Sequence, residues 1–172
     1  MVDLGPPRPH RGLWQPAAVA IRLANHDDAE TIRALVERAY GRWVPLIGLR
    51  PAPMDADYAA LVDDGDVFVL AEPEVVGVLV LRPTDGGALM VENVAVEPDR
   101  QGAGLGPRLL EFAERQAAER DIRELRLYTH ERMTENIELY ERLGWTEYDR
   151  LAEHGFARVF MRKRVTALPA GG

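Results

Sequence analysis

The 172-residue sequence contains no cysteine. That excludes a disulfide framework, a thiolate zinc cluster and a cysteine nucleophile, so any catalysis must run on other side chains. Long hydrophobic runs are also missing. Val75 to Leu81 is already interrupted by Gly77, far short of the ~20 apolar residues that a bilayer span requires. The N-terminal residues lack the apolar stretch of a secretory signal, so a cytoplasmic protein without membrane contacts is expected. Basic charge is in deficit, with Lys+Arg 21 against Asp+Glu 28 and a net charge of −7. This disfavours nucleic acid, whose binding rests on surplus basic charge, and leans instead toward a cationic partner. Lysine is nearly absent: Lys163 is the single one, so 20 of the 21 basic residues are arginine, a bias of base composition rather than of mechanism. The four histidines, His10, His26, His130 and His154, show no metal-ligand spacing, and no metal is expected. A G-x-S-x-G elbow is absent as well, which removes the case for a serine hydrolase.

What is present is enough for one domain. Hydrophobic residues make up 47% of the chain, sufficient for a real core. Residues 1–17 carry four prolines and no periodicity, and 166–172 are small and patternless, so both read as loose tails around a single domain spanning 18–165. Val19 to Leu23 is β-rich. A helix follows, with Asp27 and Glu30 at capping spacing and Ile32, Leu35, Val36 and Ala39 on one face, ending near Gly41. The segment from Arg42 to Met54 has three prolines and reads as an ordered loop or short helix. The runs Asp66 to Ala71, Val75 to Leu81 and Ala88 to Val96 form an antiparallel meander turned by Glu72-Pro73-Glu74 and Asp85-Gly86-Gly87. Gln101 to Arg120 is helical, with Leu105, Leu109, Phe112, Ala113 and Gln116 as its buried stripe. Strand Arg123 to Thr129, helix Thr134 to Leu143 and strands Trp145 to Leu151 and Phe156 to Arg164 complete the chain. The order predicts an α+β fold: a mixed, mostly antiparallel sheet flanked by helices.

Glycines alternate in Gln101-Gly102-Ala103-Gly104-Leu105-Gly106, between a strand and a helix. Unsatisfied N–H groups and the dipole at a helix N-terminus hold a phosphate without a basic side chain, and glycine lets it approach. A Walker loop requires lysine, and none stands here. The dinucleotide fingerprint finds two of its glycines, at Gly102 and Gly104, but its third position is Pro107. A third pattern, Q/R-x-x-G-x-G/A, is met by Gln101, Gly104 and Gly106. On this pattern the sequence resembles the GNAT N-acetyltransferases, which use acetyl-CoA. The likeness extends over Val91 to Gly106 and over Asn136-Ile-Glu-Leu-Tyr-Glu-Arg-Leu-Gly-Trp, which is similar to the family's N-x-x-x-Y-x-x-x-G-[FYW] helix and turn.

The resemblance implies a sheet splayed at its middle strands with acetyl-CoA wedged between them as co-substrate, the pantetheine arm pairing with backbone at Val94, Ala95 and Val96 and the pyrophosphate on Gln101 to Gly106. It implies contact of Asn136 with the cofactor arm, although a helix-start residue serves as well. It implies that Tyr140 protonates the departing thiolate, against the plainer reading of a core aromatic. Glu92, inside an otherwise apolar strand, must be paired, hydrogen-bonded or functional. It is either the general base for the incoming amine or the ion-pair partner of Arg82 or Arg126, and His130, read as a solvated loop residue, is the second choice for the base. Tyr40, Trp43, Leu46, Ile47, Met54 and Tyr58 are candidates for the acceptor wall. The expected activity is acetyl transfer from acetyl-CoA to a primary amine of a small molecule or peptide. The alternatives are a non-catalytic acyl-CoA-binding or regulatory module and a Rossmann oxidoreductase. A homo-oligomer is compatible with all of these features.

Overall fold

The computed structural model describes residues 20–153 and 155–166. The expected tail 1–17, all but the first residue of 166–172, and Val19, His10 and His154 lie outside these. Strand β1 (Ala20–Leu23) leads through a short 3-10 turn into helix α1 (Ala29–Gly41). Helices α2 (Val44–Ile47) and α3 (Tyr58–Asp63) follow, then strands β2 (Val67–Ala71), β3 (Val75–Pro83) and β4 (Leu89–Val96). Helix α4 (Leu105–Glu119), strand β5 (Glu124–His130), helix α5 (Thr134–Arg142) and the strands β6 (Thr146–Glu153) and β7 (Phe156–Arg164) complete the order. One seven-stranded sheet runs β1-β2-β3-β4-β5-β7-β6, antiparallel throughout except for the parallel β4–β5 pair.

Strands β2 and β3 read as continuous apolar runs because helices cover both faces of the sheet. Phe68, Leu70, Leu79 and Leu81 turn toward α4, where Leu105, Leu109, Leu110, Ala113 and Ala117 are buried. Val67, Val69, Val78 and Val80 turn the other way, onto Ile32, Leu35 and Val36 of α1. The stripe of α4 thus differs from the sequence expectation at Phe112 and Gln116, which are half-buried at its rim, while Leu110 and Ala117 take the inner positions. Truncating a fully buried leucine such as Leu109 costs about 2–5 kcal/mol.

The start of α1 also differs. Asn25 begins the turn two residues before Asp27, its side chain accepting from the Asp27 N–H at 3.0 Å, while Asp28 accepts from the Asn25 N–H at 2.8 Å. Asp28 is held further by Arg22 at 2.7 and 3.0 Å. The Asp27–Glu30 pairing is therefore not the cap. Hydrogen bonding to Arg22 keeps the Asp28 carboxyl below its ordinary value. The lone lysine, Lys163 on β7, reaches across to Glu114 of α4 at 2.6 Å.

Two irregularities make the cleft. Strands β4 and β5 pair only at Leu89 with Leu125 and at Met90 with Arg126, and beyond these they part. On the other edge of β4, Val80 faces Asn93 and Leu81 faces Val91, so Glu92 is an extra, unpaired residue in a β-bulge. The bulge resets the alternation of the strand. Val91 and, after it, Val94 and Val96 face α4, whereas Asn93 and Ala95 face α1.

Candidate active site

The larger cavity, about 470 Å³, lies where β4 leaves β5. Val94, Ala95 and Val96 form one wall and Gln101, Gly102, Gly104 and Gly106 the floor, with Asn136 and Tyr140 of α5 opposite. The loop is shaped by Gly102 at φ +81 and Gly104 at φ +80, left-handed conformations in which a Cβ is strained. A Cβ at Gly104 or Gly106 would meet no protein atom within 4 Å; the glycines face open space rather than packing. The Gln101 side chain donates to the Val96 carbonyl at 3.1 Å, tying loop to strand. Ala103 is exposed on the loop, and Leu105 turns its side chain into the core beneath α4, so neither lines the cavity. Together these backbone N–H groups at the start of a 15-residue helix suit a phosphate-bearing arm.

A smaller cavity of about 70 Å³ opens on the other side, lined by Glu92, Tyr128, His130, Phe156 and Arg158 among others. Tyr40, Met133, Asn136 and Tyr140 line both cavities and form their shared neck. Burial raises the Tyr140 hydroxyl to about 12, so it is a protonated donor throughout the neutral range. Its ring lies 6.1 Å from that of Trp145.

Glu92 differs from the sequence expectation in both halves. The bulge turns it outward, so its carboxylate is exposed rather than buried in an apolar strand. Neither proposed arginine takes it: Arg82 pairs with Asp66 at 3.4 Å and Arg126 with Glu124 at 2.6 Å. Next to it, Asn93 is buried and doubly bonded. Tyr40 donates its hydroxyl hydrogen to Asn93 Oδ1 at 2.8 Å, Asn93 Nδ2 donates to the Tyr58 oxygen at 2.9 Å, and Tyr58 donates to the Pro53 carbonyl at 2.8 Å. This chain pins α1 and α3 to the strand beside the bulge. Burial raises the hydroxyl pKa of Tyr40 and Tyr58.

His130 is buried at the end of β5 rather than solvated: β7 pairs beside it at Arg158, and the turn after β5 folds back so that the Arg132 N–H meets its ring. Burial lowers its pKa below the ordinary value. Its Nδ1 accepts the Arg132 backbone N–H at 3.1 Å. In the neutral ring the proton then sits on Nε2. Of the expected acceptor wall, Tyr40 and Ile47 line the smaller cavity, Trp43 the larger, and Tyr58 an adjoining recess shared with Glu92. Leu46 is exposed and Met54 packs under α1. Sequence reasoning missed Asn93, Tyr128, Met133, Phe156 and Arg158; the one available signal was the alternation of aromatics and arginines at Phe156, Arg158, Phe160 and Arg162.

The splayed sheet, bulged fourth strand and glycine-started helix define an acetyltransferase architecture. The sequence profile of the acetyltransferase (GNAT) family matches residues 29–145, and the chain belongs to that family. No curated protein matches it in sequence. The fold is shared with the PaiA N-acetyltransferase of Thermoplasma acidophilum, solved in complex with coenzyme A, at 16% identity and a TM-score of 0.71 over 86% of this chain and 99% of that one. It is similar to the ribosomal-protein-S18-alanine N-acetyltransferase of Escherichia coli, at 20% identity and TM-score 0.70 over 88% and 96% of the two chains. YncA of Salmonella typhimurium, a putative acetyltransferase solved with acetyl-CoA, aligns at 20% identity and TM-score 0.67 over 90% and 98%. Among the described residues no group of His, Asp or Glu is arranged to hold a metal ion, and no helix is long and apolar enough to cross a membrane.

Proposed function

We propose that this domain, residues 18–165, transfers the acetyl group of acetyl-CoA directly to a primary amine. The observation that carries the reading is the shared neck: Tyr140 lines both a cavity floored by the glycine loop and a smaller one edged by Glu92. In this reading the pyrophosphate lies on the N–H groups of Gln101 to Gly106 and the pantetheine arm runs along Val94 to Val96, with Asn136 beside it. The amine nitrogen attacks the thioester carbonyl from the smaller cavity. Backbone N–H groups of Val94 to Val96 receive the oxyanion. The carbon–sulfur bond then breaks, and the Tyr140 hydroxyl, kept protonated by burial, gives its proton to the leaving thiolate.

An amine with a pKa near 10 arrives protonated and must first lose that proton. Glu92 is the acceptor we assign, directly or through a water, since its carboxylate has no ion-pair or hydrogen-bond partner among the described residues. His130 suits this role less: with Nδ1 engaged, the neutral ring offers only an N–H to the cavity. The test is thiol release from acetyl-CoA across a panel of amines, with wild type and Glu92→Gln. Turnover that falls about 10- to 1,000-fold at neutral pH in the variant and recovers at high pH supports the base role. Acetyl-CoA binding without thiol release from any amine would replace the enzyme by a non-catalytic module.

A further inference from the structure

The smaller cavity is lined by one carboxylate and one guanidinium from the strands on either side of β5: Glu92 at the β4 bulge and Arg158 on β7, where it stands across from His130. Most arginines beside the sheet are already matched, Arg22 with Asp28, Arg38 with Glu97, Arg82 with Asp66, Arg100 with Glu72 and Arg126 with Glu124. Arg158 is different. No carboxylate among the described residues pairs with it. Its guanidinium instead lies 5.3 Å from the centre of the Tyr128 ring and 5.4 Å from that of Phe156. The two rings flank the guanidinium, and its N–H donors make no hydrogen bond to a described residue. In a chain of net charge −7, a half-buried guanidinium without an anion is a group built to receive one. His130 adds no charge at neutral pH, because burial favours its uncharged form.

We infer that the acceptor is a zwitterion, a primary amine that also carries a carboxylate, with its ammonium turned to Glu92 and its carboxylate held by Arg158. This rests on the acetyl-transfer reading above and narrows it. It also replaces the lean toward a cationic amine: the surface is acidic overall, but the cavity is a dipole with no net charge. One planar fork matches one carboxylate bidentately, and there is no second cation in the lining to share a phosphate. The volume of about 70 Å³ and the apolar walls of Ile47, Met133 and Phe156 suit a small amino acid with an apolar side chain. On transfer the ammonium becomes a neutral amide. The product keeps its carboxylate but loses its attraction to Glu92, which favours release.

The experiment compares matched amines: L-alanine and L-valine against ethylamine and 2-methylpropylamine, which lack the carboxylate. Thiol release is measured with wild type, Arg158→Gln and Arg158→Lys, and amino-acid binding is measured by calorimetry with coenzyme A present. Wild type should prefer the carboxylated member of each pair. Arg158→Gln should lose about 10- to 100-fold in kcat/KM for that member, bringing the pair ratio toward one, with Arg158→Lys between. The inference is overturned, and acetyl transfer stands, if wild type prefers the decarboxylated amines or if Arg158→Gln lowers both members alike while its Tm is unchanged. If no amine releases thiol, calorimetry decides. An amino acid bound by wild type and at least tenfold more weakly by Arg158→Gln keeps the assignment while the transfer reading falls, and no binding overturns both.

Discussion

The two sides of the neck are built from different materials. The larger cavity has one wall that a short stretch of chain shapes by itself, a strand edge, two left-handed glycines and the first turn of one helix within residues 94–106, and residues around α1 and α5 close it from the other side. The smaller one is made of side chains from α1, α2, the loop after it, β4, β5, α5 and β7. The first needs a chain path, and the second needs distant elements brought to one place. A main-chain site tolerates almost any side chain around it and recognises an invariant arm. A side-chain site can change its ligand by single substitutions.

The comparison breaks first at the neck, where Tyr140 belongs to both sides. Tyr140→Phe should lower kcat about 100-fold or more and leave the KM for acetyl-CoA nearly unchanged. Since the hydroxyl is raised to about 12, wild-type kcat should show no alkaline fall from this group up to pH 10. A wild-type rate in the phenylalanine variant would make Tyr140 a packing residue.

On the main-chain side, Gly104→Val places a β-branched residue at φ +80. The strain and the new methyls facing open space should weaken acetyl-CoA binding about 10- to 100-fold by calorimetry, with the sheet intact by circular dichroism.

On the side-chain side, His130 sharpens the contrast through pH. Its folded pKa lies below the ordinary 6.5, so the unfolded chain binds the proton more readily. Stability is then full above about pH 6.5 and is lost as pH falls through the lowered value. Wild-type Tm should therefore drop between pH 7 and 5 more steeply than that of His130→Gln, and parallel curves would remove the histidine from the balance. The smallest effect is expected at Gly106, which has no positive φ and free space for a Cβ. Gly106→Ala should raise Tm by a few degrees, from about 0.5–1 kcal/mol of helix propensity, and, with one methyl on the cavity floor and no backbone strain, weaken acetyl-CoA binding by less than Gly104→Val does.

The same contrast explains what the sequence could disclose. The glycine loop and the helix behind it are local, so spacing alone located them, and the element order followed from apolar runs and turns. Glu92 shows the limit. Its surroundings in sequence are apolar, which suggested burial, but its direction depends on a bulge against β3, and a register between two strands is not written in either one. Arg158 lies 66 residues from Glu92 in the chain, and only the β5–β7 pairing brings it to the cavity. His130 looked like a loop residue because the strand pairing beside it follows 28 positions later, at Arg158.

The ion pair between Lys163 and Glu114 has a consequence for a protein that would hold a reactive thioester. The other 20 of the 21 lysine and arginine side chains are guanidinium groups, too weak as nucleophiles when protonated to capture an acetyl group. The single ε-amine in the sequence is held at 2.6 Å by the Glu114 carboxylate, on a side chain only 20% exposed. The chain therefore offers acetyl-CoA scarcely any lysine of its own to modify. Mass spectrometry or acetyl-lysine blotting of the protein kept with acetyl-CoA should therefore show little chemical self-labelling.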